Sequence, residues 1–118
     1  MVFVSPTALP VSWEKLLSRL EVIVGKRPSD LNSVLFLIGI QEVGLGPKRF
    51  SKEQKQDLLH VAVCTVLAQS GYYTSSGPDK DNWPQFELRM TLPPGDILLQ
   101  EDLLKQHIIY YFDFISPA

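Results

Sequence analysis

The sequence predicts a mostly α (α+β) fold: a four-helix, bundle-like domain with one β-hairpin between the third and fourth helices. Three observations lead there. Apolar residues recur at helical spacing in four stretches. The period switches from helical to two only after Gly71, where Phe86, Leu88, Met90 and Leu92 alternate with Gln85, Glu87, Arg89 and Thr91. Gly25, Gly44, Gly71 and the run Pro93-Pro94-Gly95 punctuate the segments where helices and strands should stop.

The first helix is expected to begin at Ser12, its hydroxyl capping free amides while Val11 staples against Leu16, and to end at Gly25. Trp13, Leu16, Leu17, Leu20, Ile23 and Val24 make its apolar stripe, and Glu14, Lys15, Ser18 and Arg19 its wet side. Pro28 and Ser29 open a second helix running to about Val43. Its run from Val34 to Ile40 is apolar around nearly the whole circumference, so it must be covered on several sides. Ser51-Lys52-Glu53-Gln54 has the form of a capping box and starts a third helix that stops at Gly71. Leu58, Leu59, Ala62, Val63 and Val66 form its core face. The opposite stripe, half polar, holds Glu53, Asp57, His60 and Cys64 with Val61, Leu67 and Ala68. Tyr72-Tyr73-Thr74 pairs with the alternating strand across a loop from Ser75 to Asn82. Asp96 or a residue soon after it caps a last helix ending near Ile115, polar only along Asp102, Lys105, Gln106 and Asp113.

With 118 residues and 45% hydrophobic content, the chain has the material for one compact domain, residues 1–118, without disulfides or metal. Eleven basic against thirteen acidic side chains leave a formal charge of −2, which supplies no general field for nucleic acid or anionic lipid. The lone Cys64 excludes an internal disulfide and fits a reducing compartment. The N-terminus lacks a basic segment ahead of an apolar one, and the run from Val34 to Ile40 is too short to span a bilayer. The expectation is a cytoplasmic protein without cofactor or membrane partner. The last helix together with the second carries more all-round apolar surface than a four-helix monomer of this length readily covers, which points to a homodimer through the last helix.

Few residues invite chemistry. Glu42 continues the apolar stripe of Leu31, Leu35 and Ile38 into a last helical turn, where the macrodipole disfavours a negative charge, so it needs a cation or donors. A structural carboxylate bonded near the Gly44–Gly46 turn or paired with Lys48 or Arg49 is the plainer reading; a catalytic or ligand role is the sharper one. His107 sits in the apolar arc of the last helix and should be a buried histidine bonded to something. Asp57, His60 and Cys64 point the same way, at a spacing loosely like a di-iron Glu-x-x-His, and Glu42, Asp57 and His60 are the candidate metal ligands. An acid-base enzyme would use Glu42, His60 and His107. Cys64 reads as a packing residue, because His60 lies on the same helix and no third group orients the pair. Asp79-Lys80-Asp81-Asn82 lacks the full calcium-loop pattern, and Gly44-Leu45-Gly46-Pro47-Lys48-Arg49 lacks a phosphate loop's sequence and preceding strand. Tyr72, Tyr73 and Trp83 gather rings near one hairpin, as an aromatic tie or as a recognition surface for a peptide or small ligand.

Phe36-Leu37-Ile38-Gly39-Ile40-Gln41-Glu42, Phe50-Ser51-Lys52-Glu53-Gln54-Lys55-Gln56-Asp57-Leu58-Leu59-His60, Gly71-Tyr72-Tyr73 and Trp83-Pro84 resemble a family of small, uncharacterised bacterial proteins. The likeness implies a free-standing bacterial protein and assigns no catalytic residue. Three helices followed by a hairpin also resemble a winged-helix DNA reader, but the third helix begins with Lys52 and Lys55 beside Glu53 and Asp57 and lacks a basic footprint. A non-catalytic, dimeric interaction or scaffold module needs no coincidence of side chains and explains the surplus apolar surface.

Overall fold

Four helices and one antiparallel hairpin follow in the expected order: α1 (Leu9–Val24), α2 (Leu31–Val43), α3 (Lys52–Ala68), β1 (Tyr73–Pro78), β2 (Pro84–Leu88) and α4 (Ile97–Ile115). The computed structural model describes residues 5, 7–44, 49–80, 83–91 and 97–115. The turn after Gly44, the tip around Asp81 and Asn82, and the proposed cap at Asp96 lie outside or partly outside these residues. The chain falls into two compact units, Met1–Leu31 with Pro94–Ala118, and Asn32–Pro93. No helix among the described residues is long and apolar enough to cross a membrane.

In the first unit, α1 starts earlier than Ser12. Ala8 is the N-cap and Pro10 occupies the first turn, where a missing N–H costs nothing. The amide of Leu9 donates to the Ser5 carbonyl at 3.0 Å, and that of Ala8 donates to the same carbonyl at 3.0 Å. Val11 is exposed, so no staple to Leu16 forms. Leu9, Trp13, Leu16, Leu17 and Leu20 are buried, and the stripe stops there: Ile23 and Val24, expected to continue it, face solvent. Gly25 ends the helix at φ 89°, its amide donating to the Glu21 carbonyl at 2.8 Å. Beyond it, Arg27 reaches back to Glu14, to Ser18 Oγ at 3.1 Å and to Glu21 at 3.7 Å.

Helix α4 lies alongside α1 and runs in the same direction. Lys105 Nζ sits 5.4 Å from the centre of the Trp13 ring, and one end further on Arg19 pairs with Asp113 at 3.1 Å. Ile108 and Tyr111 are buried, whereas Phe114 and Ile115 are exposed.

In the second unit, α2 is covered nearly all round, as its composition requires. No residue from Ser33 to Ile40 is exposed, and Val34, Leu35, Ile38 and Gly39 are fully buried. The ring of Phe36 meets Phe50 edge-on, with centroids 5.7 Å apart. Helix α3 begins with the complete capping box: the Ser51 hydroxyl accepts from the Gln54 amide at 3.1 Å, and the Gln54 side chain accepts from the Ser51 amide at 2.9 Å. Such a cap contributes about 1 kcal/mol. Leu58, Ala62 and Val66 are buried as expected, and so are Val61, Cys64 and Leu67 on the half-polar stripe.

The hairpin explains that second buried stripe, because both strands pack on α3. β1 is longer than Tyr72-Tyr73-Thr74 and pairs from Tyr73↔Leu88 to Pro78↔Pro84, with a bulge between Ser75 and Gly77. Gly77 takes φ 93° in the bulge. The expected loop from Ser75 shortens accordingly. The alternation of β2 is covered only at Phe86; Leu88 and, beyond the strand, Met90 are exposed, and Leu92 lies outside the described residues.

Candidate functional site

A polar concavity of the second unit lies between α3 and the hairpin, a groove of about 420 Å³. Gln54, Asp57 and His60 line it from successive turns of α3, the spacing that brings side chains onto one helix face. Opposite them stand Asp79, Trp83 and Gln85 of the hairpin, with Val61 and Phe86 also in the lining. Among the described lining residues the charged side chains are Asp57 and Asp79.

Hydrogen bonds fix the hairpin wall. Asp79 Oδ1 accepts from the Trp83 amide at 3.0 Å, Oδ2 accepts from the Gln85 side chain at 3.2 Å, and the Asp79 amide donates to the Trp83 carbonyl at 2.9 Å. These contacts orient the Asp79 carboxylate within its own turn.

One turn deeper along α3, His60 Nε2 lies 3.5 Å from Cys64 Sγ. The Tyr73 phenol of β1 also acts on the Cys64 thiol. Burial pushes the Cys64 thiol up to about 11, with the Tyr73 bond acting in the opposite direction. The Tyr73 phenol is also raised, first by burial and then by Cys64. At neutral pH this is a protonated, buried thiol, which makes it a poor nucleophile.

The other expected residues are dispersed. Glu42 lies on the exposed last turn of α2 rather than continuing its buried stripe. His107 belongs to the first unit and is buried; its Nδ1 lies 2.7 Å from the Leu103 carbonyl, to which only an N–H can donate. Burial holds its pKa below the ordinary imidazole value, opposed by that bond. Tyr72 and Tyr73 do not line the groove with Trp83. They occupy the other end of a hairpin whose first strand spans about five steps of ~3.3 Å each. Asp57 and His60 do share the groove, but among the described residues no group of three or more His, Cys, Asp or Glu could hold a metal ion, so Glu42 does not complete a ligand set with them.

Sequence reasoning missed Asp79 and Gln85 as groove residues and Tyr73 as the partner of Cys64. Asp79 carries a local signal, an Asp able to bond amides of its own turn. Tyr73 carries none, because its placement depends on how the turn after Ala68 folds β1 back onto α3. No protein-family model, curated protein or solved structure matches the chain.

Proposed function

We propose that the protein is a non-catalytic, homodimeric interaction module of the cytoplasm that self-associates through the common C-terminal end of α1 and α4. One observation carries this reading. The two helices are parallel, so their last turns lie together, and there Val22 is 85% exposed, Ile23 67%, Val24 49%, Phe114 78% and Ile115 46%. Five large apolar side chains gathered at one end of a helix pair form a patch of the kind that marks an interface.

A second copy is the occupant this end suits. Charges of both signs border the patch: Arg19 pairs with Asp113, and Glu21 with Arg27. A two-fold interface requires such self-complementarity, with the same surface contributed by both subunits. Each Val, Ile or Phe side chain taken from water contributes about 1.5–3 kcal/mol, and an aromatic such as Phe114 is the expected anchor.

Multi-angle light scattering on wild type and on Val22→Glu/Phe114→Glu tests the proposal. Both substituted positions face water in the monomer, so the variant should fold. A dimeric wild type and a monomeric, folded variant support it. A wild type and variant of equal mass contradict it.

A further inference from the structure

We propose that the outer edge of β2 is a second self-association surface, on which two copies of the chain pair their β2 strands antiparallel about Leu88. This contact is separate from the pairing through α1 and α4, and neither requires the other. The ladder decides which groups face outward. The Arg89 amide donates to the Tyr72 carbonyl at 2.8 Å and the Asp79 amide to the Trp83 carbonyl at 2.9 Å, so Trp83, Gln85, Glu87 and Arg89 turn their backbone groups to β1. Phe86 and Leu88 turn theirs the other way, to an edge with no third strand among the described residues. Leu88 is 60% exposed and Met90 is exposed beyond it, so the edge is open to water. The outer edge of β1 is instead broken by the bulge between Ser75 and Gly77 and by Pro78.

Charge selects a second copy as the occupant, and one register. With Leu88 opposite Leu88 of the second copy, each Glu87 stands opposite the other copy's Arg89, at the non-hydrogen-bonded positions where facing side chains lie closest. Glu87 and Arg89 are both exposed. Arg89 uses its Nε for Thr74 Oγ1 at 3.3 Å, which leaves the donors of its terminal nitrogens for a carboxylate. Phe86 then faces Met90, apolar against apolar. Moving the strands one pairing step, so that Phe86 faces Leu88, sets Glu87 against Glu87 and repels. Pro84, on the same edge, has no amide to donate and stops the ladder toward the hairpin tip. Two strands of five residues bury well under the ~1,000 Å² of a stable interface, so the contact forms near millimolar protein, above the concentrations at which light scattering reads the pairing through α1 and α4. Two different two-fold contacts on one chain join dimers into larger assemblies.

The test uses the full chain carrying Val22→Glu and Phe114→Glu, which removes the other surface, so that failure here leaves the reading of α1 and α4 untouched. Nitrogen–proton NMR spectra are followed as the protein is concentrated toward about 1 mM. Shifts that grow with concentration are expected at the Phe86, Leu88 and Met90 amides. A half-labelled sample should show an intermolecular NOE between the Hα atoms of Glu87 and Arg89. Glu87→Arg alone and Arg89→Glu alone, both at exposed positions, each set like charges against each other across the two-fold and should abolish the shifts. An equimolar mixture of these two variants places opposite charges at both positions again and should recover them. Spectra independent of concentration overturn the proposal. So do single variants that associate like their parent, a mixture that fails to recover the shifts, or an NOE joining Glu87 of the two copies.

Discussion

A methyl group placed on Gly39 would lie 2.3 Å from the carbonyl oxygen of Leu58, so α2 and α3 meet at a separation that only glycine allows. The obstacle is backbone, which cannot rotate aside as a side chain can. Helix propensity alone predicts that Gly39→Ala stabilises the protein by about 1 kcal/mol. The contact predicts the reverse, a loss of about 1–3 kcal/mol from overpacking. Urea unfolding of the variant decides between them, and a raised midpoint would show that the two helices are not locked here.

Burial of His107 makes stability depend on pH. Its folded pKa lies below the ordinary value of 6.5, so the unfolded chain binds the proton more readily. Stability should therefore be constant above about pH 7 and fall as pH drops through about 6.5 toward the folded value. Urea midpoints across this window measure it. His107→Leu should flatten the slope, and an unchanged slope would remove His107 as its source.

The buried Cys64 thiol, with its pKa raised to about 11, should resist alkylation in the native protein. Iodoacetamide at about pH 8 should modify it only on the timescale of unfolding, but promptly in denaturant. Rapid, stoichiometric labelling of the folded protein would contradict its placement between α3 and β1.

The parts of this fold legible in the sequence are those with local causes. Ser51 and Gln54 announce the start of α3 because both halves of the capping box lie within one turn. Gly25 announces the end of α1 because a left-handed residue there must be cheap. The start of α1 was obscured because Ser12 is a good cap residue, yet Ser5 already satisfies the amides of Ala8 and Leu9 further upstream. The groove was half legible: Asp57 and His60 share a helix face by spacing alone, whereas Asp79 and Trp83 reach them only through the hairpin's packing on α3. Tyr73 comes near Cys64 through the turn after Ala68, whose amides from Ser70 to Tyr72 bond back to the Leu67 and Ala68 carbonyls, and no residue type there announces it. The exposed end of α1 was hidden for a simpler reason. Ile23 and Val24 continue the apolar period of the helix, and periodicity cannot say where the covering partner stops.

Sedimentation equilibrium of the untagged protein over a range of concentrations tests the central claim most directly. Pairing through Val22, Ile23, Val24, Phe114 and Ile115 predicts a mass of twice the 13.3 kDa chain, dissociating on dilution to one chain. A mass of 13.3 kDa at every concentration would contradict it.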